Sequence, residues 1–261
     1  MARCHRDGAI LRNIGEAEMN VVISQSMLFP WVGMLEQIRL ADWFVHYDDV
    51  QFSKGSFTNR VQIKMAQGVR WMTVPLVNRS LEKHIDEVQV APVSKWRDKH
   101  LLLLKTSFEG APYIRDALEI AEHVYSIEYP HIGALARASL LSLVDYFELN
   151  RFTTFIDVKD MAIGGSSSKR VLDVVKKLGG NNYITGLGAL KYLDHDLFEA
   201  QGIEVRYMQY MCCPYPQLHG VFTPYVSGLD LIANCGKDGK QYICSETVHW
   251  RKLIHESGRT I

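Results

Sequence analysis

VVISQSMLFPWVGMLEQIRLADWFVHYDDVQFSKGSFTNR, residues 21–60, brings apolar runs, a helical period and dense polar chemistry together within forty residues. Val21, Val22 and Ile23 are a β-branched run that predicts a buried strand, and Phe29-Pro30-Trp31 supplies a breaker where a helix can begin. From there Trp31, Met34, Leu35, Ile38 and Ala41 recur at the spacing of one helical face, while Glu36, Gln37 and Arg39 fall off it. Trp43, Phe44, Val45 and Tyr47 predict a second strand. Asp48 and Asp49 follow at its carboxyl end, where open α/β sheets place their ligands. The segment therefore reads as a βαβ unit with acids at its mouth.

The rest of the chain extends that unit. Residues 61–64 and 69–75 flank Ala66-Gln67-Gly68 and predict a hairpin with Trp71 and Val74 facing inward. Residues 85–90 alternate like another strand, and apolar periodicity over about 94–108, 113–127 and 130–148 predicts three helices. A strand at 153–156, a helix after Gly164-Gly165-Ser166-Ser167-Ser168, a strand at 183–185, a helix at 189–201 and a strand at 203–207 then alternate. Ser227 and Asp230 look like the cap and first turn of a final helix. Alternation of this kind implies parallel strands joined by right-handed crossovers. The expected fold is α/β: a mostly parallel doubly wound (Rossmann-like) sheet with a β-hairpin and a helical insertion near 93–150, all in one domain over 19–261. Two lobes are the alternative. Residues 1–18 are expected to form a loose N-terminal extension.

Composition narrows the class. Of the 261 residues, 47% are hydrophobic and 22% charged, the balance of an ordinary globular protein. Lys plus Arg and Asp plus Glu both number 29, so no global field recruits nucleic acid or an acidic membrane. Five cysteines without a CxxC pair, in a chain whose first residues lack a signal-peptide core, predict reduced thiols and a cytoplasmic setting. No apolar run approaches the roughly twenty residues that cross a bilayer.

Several groups carry candidate chemistry, each against a plainer alternative. Paired carboxylates such as Asp48 and Asp49 could hold Mg2+, or a sugar hydroxyl, or serve only as strand-end turn residues; adjacent side chains on a strand point apart. Lys54, Asn59 and Arg60, with Gly55, Ser56 and Thr58, offer donors and fixed charge to a phosphate, or form an exposed basic loop. Gln25, beyond the first strand, can orient a sugar or base through both amide groups, with Trp31 nearby. Ser166 and Ser167 could surround an anion at a helix start, or one of them simply caps that helix. Gly186 and Gly188 make a tight strand-to-helix turn that could approach a ligand. Tyr215, Gln217 and His219 lie in a proline-broken aromatic stretch, and His219 is the chain's best general acid/base candidate, a lone loop histidine being otherwise structural. Cys212 and Cys213 have no visible activating partner.

ISQ, FPWxG, ADxFVxYDDVQFSKGSFTNR, WxTVP, YITGLGALKYLD and YPQLHGxFxPYxSGLDLIxNCG, in that order from about Asn20 to Gly236, resemble the WbqC-like family found beside bacterial surface-polysaccharide genes. The family usually has proline where this chain has Ser26, a change expected to loosen the first turn. The resemblance implies a place in O-antigen or capsule biosynthesis and the βαβ mouth implies a nucleotide, so the expectation is a transferase acting on a nucleotide-activated sugar or related precursor. The resemblance favours Lys54, Asn59 and Arg60 as an anion site, while strand-end position points to Gln25 and Asp48 for orienting hydroxyls and residue type points to His219, with Asp48, for catalysis. An ATP- and Mg2+-dependent ligase or nucleotidylyltransferase, and a non-catalytic binder of a precursor or partner, are the alternatives. Gln25 and Trp31 are similar by position to the first-strand motif of HIGH-type nucleotidylyltransferases, but both of its histidines are missing.

Overall fold

The computed structural model describes residues 18–77 and 82–257. The extension expected over 1–18 lies, Glu18 apart, outside the described residues. Among the described residues eight strands are formed: β1 (Asn20–Ser24), β2 (Trp43–His46), β3 (Arg60–Met65), β4 (Gly68–Thr73), β5 (Thr154–Asp157), β6 (Asn182–Thr185), β7 (Glu204–Gln209) and β8 (Glu246–His249). The helices are α1 (Val32–Leu40), α2 (Arg97–Ser107), α3 (Ile114–Tyr125), α4 (Ile132–Tyr146), α5 (Ser167–Lys177), α6 (His195–Glu199), α7 (Gly228–Cys235) and α8 (Trp250–Ser257).

Six strands make one sheet in the order β5-β2-β1-β6-β7-β8. Its first five strands run parallel, and β8 pairs antiparallel with β7. Numbered within this sheet the order is 3-2-1-4-5-6, the doubly wound arrangement whose strand order reverses between its first and fourth strands. Here that reversal falls between β1 and β6, with Val21 opposite Tyr183 and Val22 opposite Ile184.

Alternation along the strands divides the core in two. Val22, Phe44, Ile184 and Met208 face a layer built from α1, the α2–α4 helices between β4 and β5, α7 and the β3–β4 hairpin. Val21, Ile23, Val45, Tyr183, Val205 and Tyr207 face α5, α6 and the start of α8. A central strand must be apolar on both faces, which is why Val21-Val22-Ile23 does not alternate.

Three local expectations are corrected, and one helix is enclosed further than its apolar stripe implies. Residues 85–90 form no strand; Ile85 and Val88 are spaced for a 3-10 turn that buries both, closed by a reciprocal His84–Glu87 cap. Trp71 does not face inward but is 41% exposed, since β4 belongs to a separate two-stranded ribbon, while Val74 is buried as its apolarity implies. The helix expected over 189–201 is instead a 3-10 turn, Leu187–Lys191, followed by α6, because Asp194 starts a new helix by accepting from the Leu197 amide at 3.1 Å. Glu36 and Gln37, polar and off the apolar stripe, are buried, because α1 is enclosed along most of its surface.

Candidate functional site

At the reversal between β1 and β6 lies a cavity of about 550 Å³. Ser24 and Gln25 close it from the end of β1, Gln37 and Met34 from α1, Thr185 and Gly186 from the end of β6, and Tyr210 from beyond β7. Tyr47, Tyr183, Tyr192 and Trp31 complete an aromatic lining, and Gly188 stands at the mouth. None of the described lining residues is Asp, Glu, His, Lys or Arg. Such a surface can hydrogen-bond and stack against a neutral polar ring, but it contributes no fixed charge.

Gly33 and Trp31 set one wall. The indole lies across the first turn of α1 so closely that a Cβ at Gly33 would sit 2.1 Å from a ring atom. Tyr210 and Tyr225 flank the same indole at ring-centre distances of 4.9 and 5.3 Å. Gly186 stands beside Tyr210, where a Cβ would approach its hydroxyl at 3.3 Å.

Of the candidate residues, Gln25, Trp31, Gly186 and Gly188 line this cavity together. Asp48 and Asp49 point apart, and each meets an arginine. Asp48 is 2% exposed and accepts from the Ser26 amide at 2.8 Å, the Ser26 hydroxyl at 2.7 Å and Arg137 at 3.1 Å. The Asp48 carboxylate thus pins both the amide and the hydroxyl of Ser26. Asp49 takes a two-pronged contact from Arg170, at 3.0 and 2.5 Å, and that guanidinium lies 4.8 Å over the Tyr47 ring, holding it in the cavity wall. Among the described residues no group of three or more His, Cys, Asp or Glu is placed to hold a metal ion.

Behind the cavity, Arg137 also reaches Asp157 at 2.7 Å and so ties together the carboxyl ends of β2 and β5. His46, whose Nδ1 meets the Ser26 hydroxyl at 3.0 Å, is held neutral: burial and the neighbouring Arg137 push its pKa down to about 3.

The remaining candidates stand away from the cavity lining. Lys54 is exposed, Asn59 is buried and donates to the Val74 carbonyl at 3.1 Å, and Arg60 binds the Gly55 carbonyl with its guanidinium 4.0 Å over Trp71. Ser166 occupies the cap position of α5 without a side-chain cap bond, and Ser167 is exposed with a left-handed φ of 58°. Tyr215, Gln217 and His219 form a clasp that fastens the 210–226 segment. The Tyr215 hydroxyl and Gln217 amide both donate to buried Asp230, at 2.7 and 2.8 Å. Lys64 donates to Gln217 at 2.9 Å, and His219 contacts the Ser107 carbonyl at 2.7 Å. Cys213 and Cys244 sulfurs lie 3.1 Å apart, and burial raises the Cys212 thiol pKa.

Sequence reasoning missed Gln37, Tyr210, Thr185 and Ser24. The signal for Gln37 was a polar residue on a helix flanked by two apolar strands, where few positions can face solvent. Tyr210 and Thr185 carried a weaker one: each sits at or just past the end of a parallel strand.

No solved structure matches the chain. It is similar to "Uncharacterized protein Rv1507c" of Mycobacterium tuberculosis (strain ATCC 25618 / H37Rv), with 28% identity over 226 residues that cover 85% of this chain and 96% of that protein. The model of the WbqC-like protein family matches residues 25–242, a span that includes the cavity lining apart from Ile23 and Ser24, the Asp48 and Asp49 pairs and the Tyr215–Asp230 clasp. The chain belongs to the WbqC-like protein family.

Proposed function

We propose that the protein is a transferase that takes a nucleotide-activated sugar, or a closely related precursor, in bacterial surface-polysaccharide assembly. The observation that carries this reading is the 550 Å³ cavity at the reversal of strand order between β1 and β6, the position at which doubly wound sheets bind nucleotide-type ligands. Its hydroxyl, amide and aromatic lining suits a polar ring rather than a lipid or an ion. Titration with UDP-, dTDP- and GDP-sugars, with ATP and Mg2+ as the contrast, tests it. Gly186→Leu places a side chain into the space before the Tyr210 hydroxyl and should abolish binding while leaving the fold intact. Wild-type affinity in that variant would put the site elsewhere.

One observation favours a second reading, a binding protein without turnover: the cavity lining supplies no carboxylate, imidazole or amine for proton transfer. Product formation from a bound nucleotide-sugar with candidate acceptors separates the two. A metal-dependent ligase has less support, because Asp48 and Asp49 diverge and each is paired with an arginine.

A further inference from the structure

Gln37 is 5% exposed, lines the cavity and has no hydrogen-bond partner among the described residues. Buried amides are ordinarily paired within the protein, so one left open on a cavity wall has its donors and acceptor free for whatever enters, water included. A Cβ at Gly186 would stand 4.0 Å from the Gln37 Nε2, so the absent side chain there keeps the amide accessible.

Charge selects among ligands. In sheets of this order a phosphate usually sits at the first helix N-terminus, but here the Trp31 indole covers that turn against Gly33. With no cation in the lining either, a phosphate group entering the cavity would lose its hydration without a counter-charge. The available partners are neutral and come from four elements around the lining: Ser24 and Gln25 from the end of β1, Gln37 from α1, Thr185 from the end of β6 and Tyr210 from beyond β7. A nucleobase presents its donors and acceptors in one plane, along its edges. A pyranose carries hydroxyls around its whole rim and an apolar C–H face that packs on aromatic rings.

Resting on the reading of the cavity as a nucleotide-sugar site, we propose that it is the uncharged sugar ring that enters, with the nucleoside diphosphate left outside. Gln37 is then the specificity-determining residue, its carboxamide donating to one hydroxyl and accepting from the next. The Trp31 and Tyr210 rings, 4.9 Å apart, offer the surface for the C–H face.

The test uses methyl glycosides of neutral hexoses and 6-deoxyhexoses, the matching UDP-, dTDP- and GDP-sugars, the bare nucleoside diphosphates and UDP-glucuronic acid, followed by saturation-transfer NMR and calorimetry. At least one neutral glycoside should bind. Its nucleotide-sugar should bind at least about tenfold more tightly than the bare diphosphate, and the uronic acid should bind more weakly than its neutral counterpart. Gln37→Leu keeps the volume and removes the amide, so it should weaken the sugar about tenfold or more and melt no lower than wild type. Gln25→Leu, at a half-buried position, provides a second variant with an expected loss of several-fold. Bare diphosphate binding as tightly as the nucleotide-sugar, with no glycoside bound, overturns the proposal while the nucleotide-sugar reading survives. Absence of binding by every sugar and nucleotide-sugar overturns both. Wild-type affinity in Gln37→Leu and Gln25→Leu, or a lowered melting temperature in Gln37→Leu, removes Gln37 from recognition.

Discussion

Gly33 and Arg137 each answer a different physical demand, and substitution separates them. A Cβ at Gly33 must displace the Trp31 ring, so Gly33→Ala should lower stability by about 1 to 3 kcal/mol and distort the cavity wall, readable in denaturant melts and in the loss of ligand binding. Arg137→Leu leaves Asp48, 2% exposed, without its guanidinium. Removing one member of such a pair typically costs about 3 to 5 kcal/mol, and adding Asp48→Asn should recover part of it; a single variant as stable as wild type would show that the pair is dispensable. Buried His46 and His100 have pKa values pushed down to about 3 and about 4, burial being the main cause in each. Because the unfolded chain takes up these protons near pH 6.5 and the folded chain does not, their contribution is present above about pH 6.5 and is lost as pH falls toward those lower values. Urea titrations at pH 7, 6 and 5 should show stability declining by at most about 1.4 kcal/mol per pH unit for each histidine. His100→Gln should flatten that decline.

Helices and strands whose burial is one-sided or complete were legible in the sequence; elements defined by their neighbours were not. The β-branched run Val21–Ile23 reads as a buried strand and is one, and the α2–α4 periodicities survived into the structure with boundaries shifted by a few residues. By contrast, β8 is Glu-Thr-Val-His, with one buried apolar residue, and becomes a strand because β7 offers it an open edge from Arg206 to Gln209. The clasp was visible as a dense motif whose chemistry pointed to catalysis, yet its polar groups are occupied with one another. The same composition serves a buried network or an exposed site, and only the fold decides which. Tyr215→Phe removes one of the donors to buried Asp230 and should cost about 1 to 3 kcal/mol, with ligand affinity unchanged if the clasp is purely structural. Reduced affinity at unaltered stability would instead return the segment to the binding surface.

Across the molecule, two apolar layers flank one sheet, and β8 with α8 finishes the layer that contains Tyr207, Val248 and Trp250. Ending the chain after Ser245 would expose both that layer and the β7 edge, so the truncated protein should aggregate or melt at markedly lower temperature, measurable by light scattering and calorimetry. The pairing of β1 with β6 has a consequence in time as well as in space. Asn20 and Asn182 are partners, so the strands that bound the cavity are separated by most of the chain. At a synthesis rate of about 5 to 20 residues per second, β1 emerges from a ribosome roughly ten to thirty seconds before β6. During that interval β1 and β2 can pair, but the other edge of β1 waits open and no cavity exists. The cavity is therefore a feature that the nascent protein acquires late and abruptly, and until then the β1 edge stands unpaired.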